Sequence, residues 1–368
     1  MRYGFGILNW TRKELRAADC KLRKLLHKGR FHHPKSNTHR LHMSRHRGGR
    51  GVIGVVDCHR QECTKLAEYI RKNTDDHLVQ IVREVESKKA YGIMSFKRKG
   101  DSTTIDEEHE KGLRKMAMHG DYFRQQMETP NVDLELSHQW LKRSYLRFET
   151  ESLICAAQEQ ALATRYTRQK IWKTGGSPKC RLCMEQNETV HHIVSGCKML
   201  AGTKYLFRHN QVAKYIHWRL LKDRGFEVKE SWIEHNPRET ETLNGTTILW
   251  DVPLLTDKKV KCNRPDITIH DTINRECTLV DISIPVCGNI IRKEAEKIVK
   301  YKDLEIEIQK CWNLKKISTI PVIVGALGTV SKGIENHLNN LSPNAEFKVI
   351  QKTALLGTAH ILRNFLKS

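Results

Sequence analysis

The chain has 368 residues, room for roughly two or three compact units, with 64 Lys and Arg against 42 Asp and Glu and a formal net charge of +22. This basic excess indicates a polyanionic partner, first nucleic acid and second an acidic membrane surface. Since no apolar run of about 20 residues, signal peptide or lipidation motif is present, we expect a soluble intracellular protein, located in the nucleus.

The first fifty residues are the basic end of the chain. Leu15, Ala18, Leu22 and Leu25 recur at helical spacing, which predicts an amphipathic helix over residues 11–28. Such a helix can follow phosphates with its basic face, or it can be an ordinary solvated surface. The candidate nucleic-acid-binding residues on that face are Arg12, Lys13, Arg16, Arg23 and Lys24.

A mainly helical region follows. A helical pattern resumes over residues 60–72, and the polar stretch 98–110 predicts a loop that is partly disordered. Residues 134–172 again have a helical pattern, and the sequence KTGGSP at 173–178 predicts a flexible linker. The candidates for burial in the second helical stretch are Trp140, Leu141, Tyr145, Ile154 and Ala161.

A metal-binding pattern follows the linker. The segment CRLCMEQNETVHHIVSGC places Cys180 and Cys183 one short turn apart, with two adjacent histidines and Cys197 behind them. Thiolates and imidazole are the ligands of structural zinc, and the Cys-x-x-Cys turn brings two sulfurs together. We prefer His192 to His191 as the third ligand, because it leaves four residues before Cys197. The other cysteines are scattered without a disulfide framework, which favours a reducing compartment.

Two aspartates stand in the strand-like stretch RPDITIHDTINRECTLVDISIP. A helix over 204–224 and a strand over 246–255 precede it; within it, an alternating strand and a more apolar central strand are joined by a polar turn. A hairpin would bring Asp266 and Asp281 together at one end of a sheet. Because two close carboxylates repel unless a cation lies between them, this pair predicts a site for Mg²⁺ or Mn²⁺.

A basic helix comes next. Asn289 can cap a helix running to about Trp312, in which Lys293, Lys297 and Lys300 share one face. Their ammonium groups could stabilise a phosphorane, although for each lysine taken singly an ordinary charged surface is the better explanation. A buried strand over 317–330, a helix to residue 341 and a last helix over 352–366 complete the chain.

These segments together resemble the C-terminal half of a site-specific LINE-type (non-LTR) retrotransposon polyprotein. The matching residues are NWTRKELRAADCKLRKLLHKGRFHHPKSNTHRL with GGRGV, ETESLICAAQEQAL, the Cys-Cys-His-Cys segment, and RPDITI, VDISIP, EKIVKY and VIVGALG. The resemblance implies a multidomain α+β protein with a mainly α-helical N-terminal half, a small zinc knuckle and an α/β restriction-endonuclease-like (PD-D/E-xK) domain. The implied segments are a basic thumb-like segment (1–60), a helical linker region (61–175), the knuckle (176–202), the nuclease (203–345) and a C-terminal helix (346–368).

The resemblance further implies that Asp266 and Asp281 bind the catalytic metal and that Lys297 or Lys300 supplies the basic group. The wider restriction-nuclease pattern has a lysine two residues after the second acid, where this chain has Ser283. The family's polymerase box, an aromatic residue followed by any residue and two aspartates, is lacking, since the adjacent aspartates Asp75 and Asp76 follow Asn-Thr. We therefore expect no polymerase activity from this chain alone.

The expected function is metal-dependent nicking of DNA, with structural zinc and catalytic Mg or Mn as cofactors. DNA is the expected partner, and binding of the element's RNA stays an open alternative. The competing hypotheses are a non-catalytic nucleic-acid-binding remnant of such a polyprotein and a truncated product without function.

Overall fold

The computed structural model describes residues 2–73, 76–87, 92–96, 104–143 and 146–367. It consists of two compact units, Met1–Gly120 and Asp121–Ser368. The first is helical and the second is mixed α and β, so the chain as a whole is an α+β protein. The five segments expected from the sequence are a different division, in which 61–175 spans the boundary between the two units, and they stay a prediction.

Among the described residues, the first unit contains five α-helices: α1 (Arg12–Lys28), α2 (Thr38–His42), α3 (Val55–Lys72), α4 (His77–Ser87) and α5 (Ile105–Arg114). Helix α1 begins with a capping box, in which Thr11 and Glu14 each bond the other's backbone N–H. Asp19 is buried and accepts hydrogen bonds from the N–H groups of Val55 and Val56, so it caps the start of α3.

One sequence prediction for this unit is wrong, that of a loop over residues 98–110. The predicted helix over 11–28 is present as α1, and of its apolar positions Leu15 is 4% exposed whereas Leu25 is 67% exposed. Residues 105–110 of the predicted loop begin helix α5, which Thr104 and Glu107 start with a second capping box. The capping box supplies bonds for N–H groups at the start of this polar helix. Residues 98–103 of the predicted loop lie outside the described residues.

The second unit begins with α6 (Asp121–Glu128), α7 (Leu134–Arg143) and α8 (Phe148–Gln158). The single helical stretch predicted over 134–172 is therefore wrong: it is divided, and after α8 only a π-helical turn over Thr167–Ile171 remains. Trp140 and Ile154 are buried as predicted. Leu141 and Ala161 are buried too, and Tyr145 lies outside the described residues.

A five-stranded sheet forms the centre of this unit, in the order β1-β2-β3-β4-β5. Its strands are β1 (Thr240–Leu243), β2 (Thr246–Trp250), β3 (Ile267–Asp271), β4 (Glu276–Ser283) and β5 (Lys316–Ile323). The first three pairings are antiparallel and β4 pairs with β5 in parallel. Sequence patterning missed β1, and it extended the predicted strands 246–255 and 317–330 beyond the observed ends of β2 and β5.

Helices cover both faces of the sheet. The short helix α9 (Lys198–Leu200) follows Cys197. One layer contains α10 (Leu206–Asp223), α13 (Ile334–Leu341) and α14 (Phe347–Lys367), and the other contains α11 (Ile290–Lys300) and α12 (Lys302–Cys311). Val280 and Ile282 of β4 face the α10 side, while Cys277 and Leu279 face α12. Strand β4 is thus buried on both faces, as its continuous apolar pattern predicted.

The helix predicted from Asn289 to Trp312 is wrong in two respects. It is interrupted at Tyr301, where α11 ends and α12 begins. Asn289 precedes α11, but its φ of −110° and ψ of 6° differ from the extended conformation of a capping residue, and its side chain makes no capping bond. Within the described ranges, no helix is long and apolar enough to cross a membrane.

Candidate functional site

The four predicted ligands of the cysteine-rich segment converge in the second unit. One ligand atom from each of Cys180, Cys183, His192 and Cys197 lies within 4.8 Å of all the others. The Sγ atoms of Cys180 and Cys197 are 3.9 Å apart, and Cys183 Sγ is 3.4 Å from His192 Nε2. These four residues can therefore hold a metal ion, and the cluster contains His192 rather than His191.

Neighbouring groups orient this cluster. The side-chain oxygen of Gln186 accepts a hydrogen bond at 3.0 Å from Nδ1 of His192, which leaves the Nε2 lone pair facing the sulfurs. Tyr205 accepts a hydrogen bond from the N–H of Cys197 and donates one to the carbonyl of Ile193. The histidine and the last cysteine are thus held from behind by residues that are not ligands.

The backbone also acts on the thiols. Hydrogen bonds from the N–H groups of Gln186 and Glu185 hold the pKa of Cys183 below its ordinary value. Burial, together with the neighbouring cysteine sulfurs, raises the pKa of Cys197 to about 11. Because metal ligation requires thiolates, a bound cation would have to supply the charge compensation that the protein alone does not give Cys197.

A buried ion pair stabilises the same segment. Glu188 is fully buried and accepts hydrogen bonds from Nη2 of Arg181 at 2.8 Å and from the N–H of Arg165 at 2.8 Å. Burial raises the pKa of Glu188, but the bonds from Arg181 and from these amides outweigh it, so the net pKa is lowered. Glu188 thus ties the cysteine-bearing loop to the residues that lead into it.

The two aspartates of the predicted hairpin lie next to each other across the β3–β4 pairing. Ile267 pairs with Val280, and the N–H of Asp266 donates to the carbonyl of Val280 at 3.1 Å, so Asp266 lies beside Asp281 at the start of β3. The exposed fraction of Asp281 is 1%, and its neighbour in β5 is Pro321. The hairpin geometry expected from the sequence is therefore present.

Asp281 faces three donors from the α11 side. Nζ of Lys297 lies 2.5 Å from Oδ2, Nζ of Lys300 lies 3.0 Å from Oδ1, and the hydroxyl of Tyr301 donates to Oδ1 at 2.6 Å. Burial alone would raise the pKa of Asp281, but the two ammonium groups and the tyrosine hydroxyl lower it below its ordinary value. Asp281 is therefore an ionised carboxylate enclosed by positive charge.

Asp266 has different partners. Its Oδ2 accepts hydrogen bonds from the N–H of Ile282 at 2.6 Å and from Nε2 of His209 at 3.2 Å. Burial lowers the pKa of His209, but the bond and the charge of Asp266 raise it to about 9, so this imidazole carries a proton at neutral pH. Within the part of the chain that the structure describes, Oδ1 of Asp266 accepts no hydrogen bond.

The charges of both acids act on Tyr301, whose hydroxyl bonds Asp281. Burial raises its pKa, and the negative charges of Asp281 and then Asp266 raise it further, so the hydroxyl keeps its proton and can only donate to a carboxylate. Sequence reasoning missed both His209 and Tyr301 as members of this site. Tyr301 belongs to the quoted segment EKIVKY, but His209 lies 57 residues before Asp266 and has no local signal.

The structure distinguishes the three lysines of α11. Lys297 and Lys300 both reach Asp281, whereas Lys293 forms an ion pair with Glu296 at 2.7 Å. Lys293 therefore belongs to the ordinary charged surface. Ser283, at the position of the missing lysine of the wider nuclease pattern, ends β4 and is half-buried.

The predicted basic face of α1 is largely available to solvent. Four of its five members are exposed and Arg23 is half-buried; the exposed ones are Arg12, Lys13, Arg16 and Lys24. They belong to the first unit.

Comparison with known proteins adds no relative: no family model matches the chain and no curated protein matches it.

Proposed function

We propose that the chain is a metal-dependent DNA endonuclease that hydrolyses phosphodiester bonds and nicks its target, derived from a LINE-type retrotransposon polyprotein. The observation that carries this proposal is the pair Asp266 and Asp281, adjacent across two strands and faced by two lysines. Residues 203–345 are then a nuclease domain of the restriction-endonuclease type. Their strands, with helices on both faces, agree with the α/β architecture that this domain requires.

The acidic pair fits a hard divalent cation. Asp266 keeps Oδ1 without a hydrogen-bond partner among the described residues, and the oxygens of Asp281 bind ammonium groups, with which a cation can exchange. Carboxylate oxygens are the ligands that Mg²⁺ and Mn²⁺ prefer, and such an ion would polarise a phosphate and lower the pKa of bound water. Asp266 and Asp281 would hold it.

The remaining residues prepare the site for an anionic substrate. Lys297 and Lys300 now neutralise Asp281, and either can turn to a phosphate oxygen when a cation takes over that task. Tyr301 holds Oδ1 of Asp281 in place, and protonated His209 holds Oδ2 of Asp266. The carboxylates are thus oriented before substrate arrives, which limits the reorganisation needed on binding.

The cysteine cluster takes zinc in this proposal. Three sulfurs and one imidazole nitrogen are the ligand set of a closed, tetrahedral structural zinc site. The segment 179–197 has little regular structure of its own, so zinc would supply much of its folding free energy. The zinc knuckle and the basic face of α1 would both bind the DNA target, and the protein would act in the nucleus. RNA is the alternative nucleic-acid ligand.

Nicking of a supercoiled plasmid in Mg²⁺ tests the proposal. We expect the wild-type chain to relax the plasmid and Asp266→Ala to lose this activity by a factor on the order of 100 or more, since a metal ligand is removed. Asp251→Ala is the matched control, because Asp251 is an exposed acid near the same sheet end. Equal rates for wild type and Asp266→Ala would refute the enzyme hypothesis.

A second function is favoured by one feature of the site. The ionised Asp281 is already compensated by two ammonium groups and a hydroxyl, as a structural ion cluster would be. The chain would then be a non-catalytic nucleic-acid-binding remnant. Retained binding of plasmid DNA, with no Mg²⁺-dependent relaxation in any variant, would support this function over the first.

A further inference from the structure

A pair of buried histidines lies at the α10 face of the sheet, apart from both sites described above. His217 of α10 is fully buried, and His235, from the loop between α10 and β1, is 5% exposed. Nδ1 of His217 is 2.9 Å from Nε2 of His235. The ring centroids are 5.1 Å apart and the ring planes differ by 23°, so the rings meet edge to edge with one nitrogen facing the other.

Glu241 of β1 completes a group of three. One nitrogen from each histidine and one carboxylate oxygen of Glu241 all lie within 4.8 Å of one another. Both His235 and Glu241 line a surface groove whose wall also carries Glu227 and Glu234. A cation can therefore reach this group from solvent, through a groove that contains further carboxylates.

The hydrogen bonding of His217 is incomplete. Its Nε2 is buried and has no hydrogen-bond partner among the described residues. Burying a polar atom without a partner costs folding free energy, and this cost offsets the stabilisation from the single bond to His235. The histidine pair therefore stabilises the core little more than two apolar side chains would. The facing nitrogens, Nδ1 of His217 and Nε2 of His235, bond only each other among the described residues, so a ligand that needs both imidazoles can take them.

From this geometry we propose a second metal site, in which His217, His235 and Glu241 bind a divalent transition metal of the Zn²⁺ class. Imidazole nitrogen and carboxylate oxygen are typical ligands of such ions, at about 2.0–2.2 Å from zinc. Two nitrogens bound to one tetrahedral ion stand about 3.3 Å apart, so the observed 2.9 Å needs to widen by only a few tenths of an ångström.

The neutral state of the imidazoles agrees with this role. Burial, and after it the nearby His235, lowers the pKa of His217 to about 3, and burial lowers the pKa of His235 as well. Neutral imidazole is the form that binds metals. The ion would fasten the loop of residues 224–239 and the outer strand β1 to α10.

Zinc uptake by the metal-free full chain, measured by equilibrium dialysis and elemental analysis, tests the site. We expect wild type to bind two zinc ions and His235→Ala to bind one. Since even residues behind metal ligands change affinity 10–100-fold, loss of a ligand should weaken the second ion by at least about 100-fold. Glu241→Gln tests the same site at a half-buried position of the outer strand, in case His235→Ala fails to fold.

Two controls separate this site from the cysteine cluster. Glu234→Gln changes an exposed acid of the same groove outside the group of three, and it should keep both ions. With Co²⁺ as the probe, His235→Ala should retain the thiolate-to-cobalt charge-transfer absorption of the cysteine cluster while losing one bound ion. One zinc in wild type, or two in both His235→Ala and Glu241→Gln, would overturn the proposal.

Discussion

Removal of the two ammonium groups around Asp281 should destabilise the second unit far more together than singly. Lys297→Met and Lys300→Met each keep the aliphatic volume of the side chain and delete its charge. After either change, Asp281 still has one lysine and the hydroxyl of Tyr301 as partners. After both changes, a carboxylate that is 1% exposed has lost all positive charge in direct contact with it.

The magnitudes follow from burial and distance. A hydrogen bond to a charged group contributes about 1.5–3 kcal/mol, so Lys297→Met should cost about 2 kcal/mol. Lys300 is more exposed than Lys297, 32% against 18%, so solvent screens its charge more and Lys300→Met should cost about 1 kcal/mol. The double variant should cost about 5 kcal/mol, the upper end of the roughly 3–5 kcal/mol that an uncompensated buried charge costs, against a sum of about 3 kcal/mol for the two single variants.

Urea unfolding, combined with hydrogen exchange of the β4 amides, measures these free energies where the cluster lies. Exchange at β4 reports on the second unit alone, so unfolding of the first unit does not obscure the result. Asp281→Asn is the control background. With the carboxylate gone, each lysine substitution should change the free energy of unfolding by less than about 0.5 kcal/mol.

Two results would refute the reasoning. Strict additivity of Lys297→Met and Lys300→Met would show that the lysines do not share the task of compensating one carboxylate. Equal costs in the wild-type and Asp281→Asn backgrounds would show that their contribution is packing of the aliphatic stem rather than charge.

Three further predictions concern other parts of the chain. Cys183→Ser or chelation should remove one bound metal ion and make residues 179–197 sensitive to protease, and unchanged zinc content would contradict the cluster. The lowered pKa of Glu188 means that its stabilisation is complete above the ordinary carboxyl pKa of about 4.3 and is lost as pH falls through the lowered folded-state pKa. The melting-temperature difference between wild type and Glu188→Gln should therefore be largest at neutral pH and vanish in acid; a constant difference would argue against the Arg181 pairing. DNA affinity should fall steeply between low and physiological salt, and Arg16→Glu should flatten this dependence, whereas an already flat wild-type response would indicate another partner.

The sequence predicted the elements whose side chains alternate or cluster clearly. The continuous apolar run of β4 predicted an interior strand, and it lies between β3 and β5. The outer strand β1 was missed because its residues are polar and alternate only weakly in burial. A signal for it was present in Asn244 and Gly245, which adopt positive φ of 49° and 78° in the turn to β2, as tight hairpins require.

Local patterns could not predict the break of the basic helix. Lys293, Lys297 and Lys300 continue at helical spacing up to Tyr301, so periodicity alone extends the helix. The structure ends α11 there and buries Tyr301 fully, with its hydroxyl on Asp281. The partner that accounts for this position lies 20 residues away on another element.

The histidines of α10 also could not be assigned to sites from the sequence. His209 and His217 stand in an amphipathic helix, where histidine is an ordinary residue, and only the fold brings them to Asp266 and His235. Sequence spacing is informative when all ligands belong to one short segment, as in the cysteine cluster of residues 180–197. Spacing predicts no site when the partners come from separate helices and strands.

One helix links the three polar sites of the second unit. Tyr205, just ahead of α10, supports the cysteine cluster, His209 in its first turn holds Asp266, and His217 farther along meets His235. The opposite contacts of α10 are apolar and pack it on the sheet and on α14. Because His209 and His217 project from one core-packed helix, α10 fixes one partner at each of the last two sites, and Tyr205 at its start does the same for the cysteine cluster.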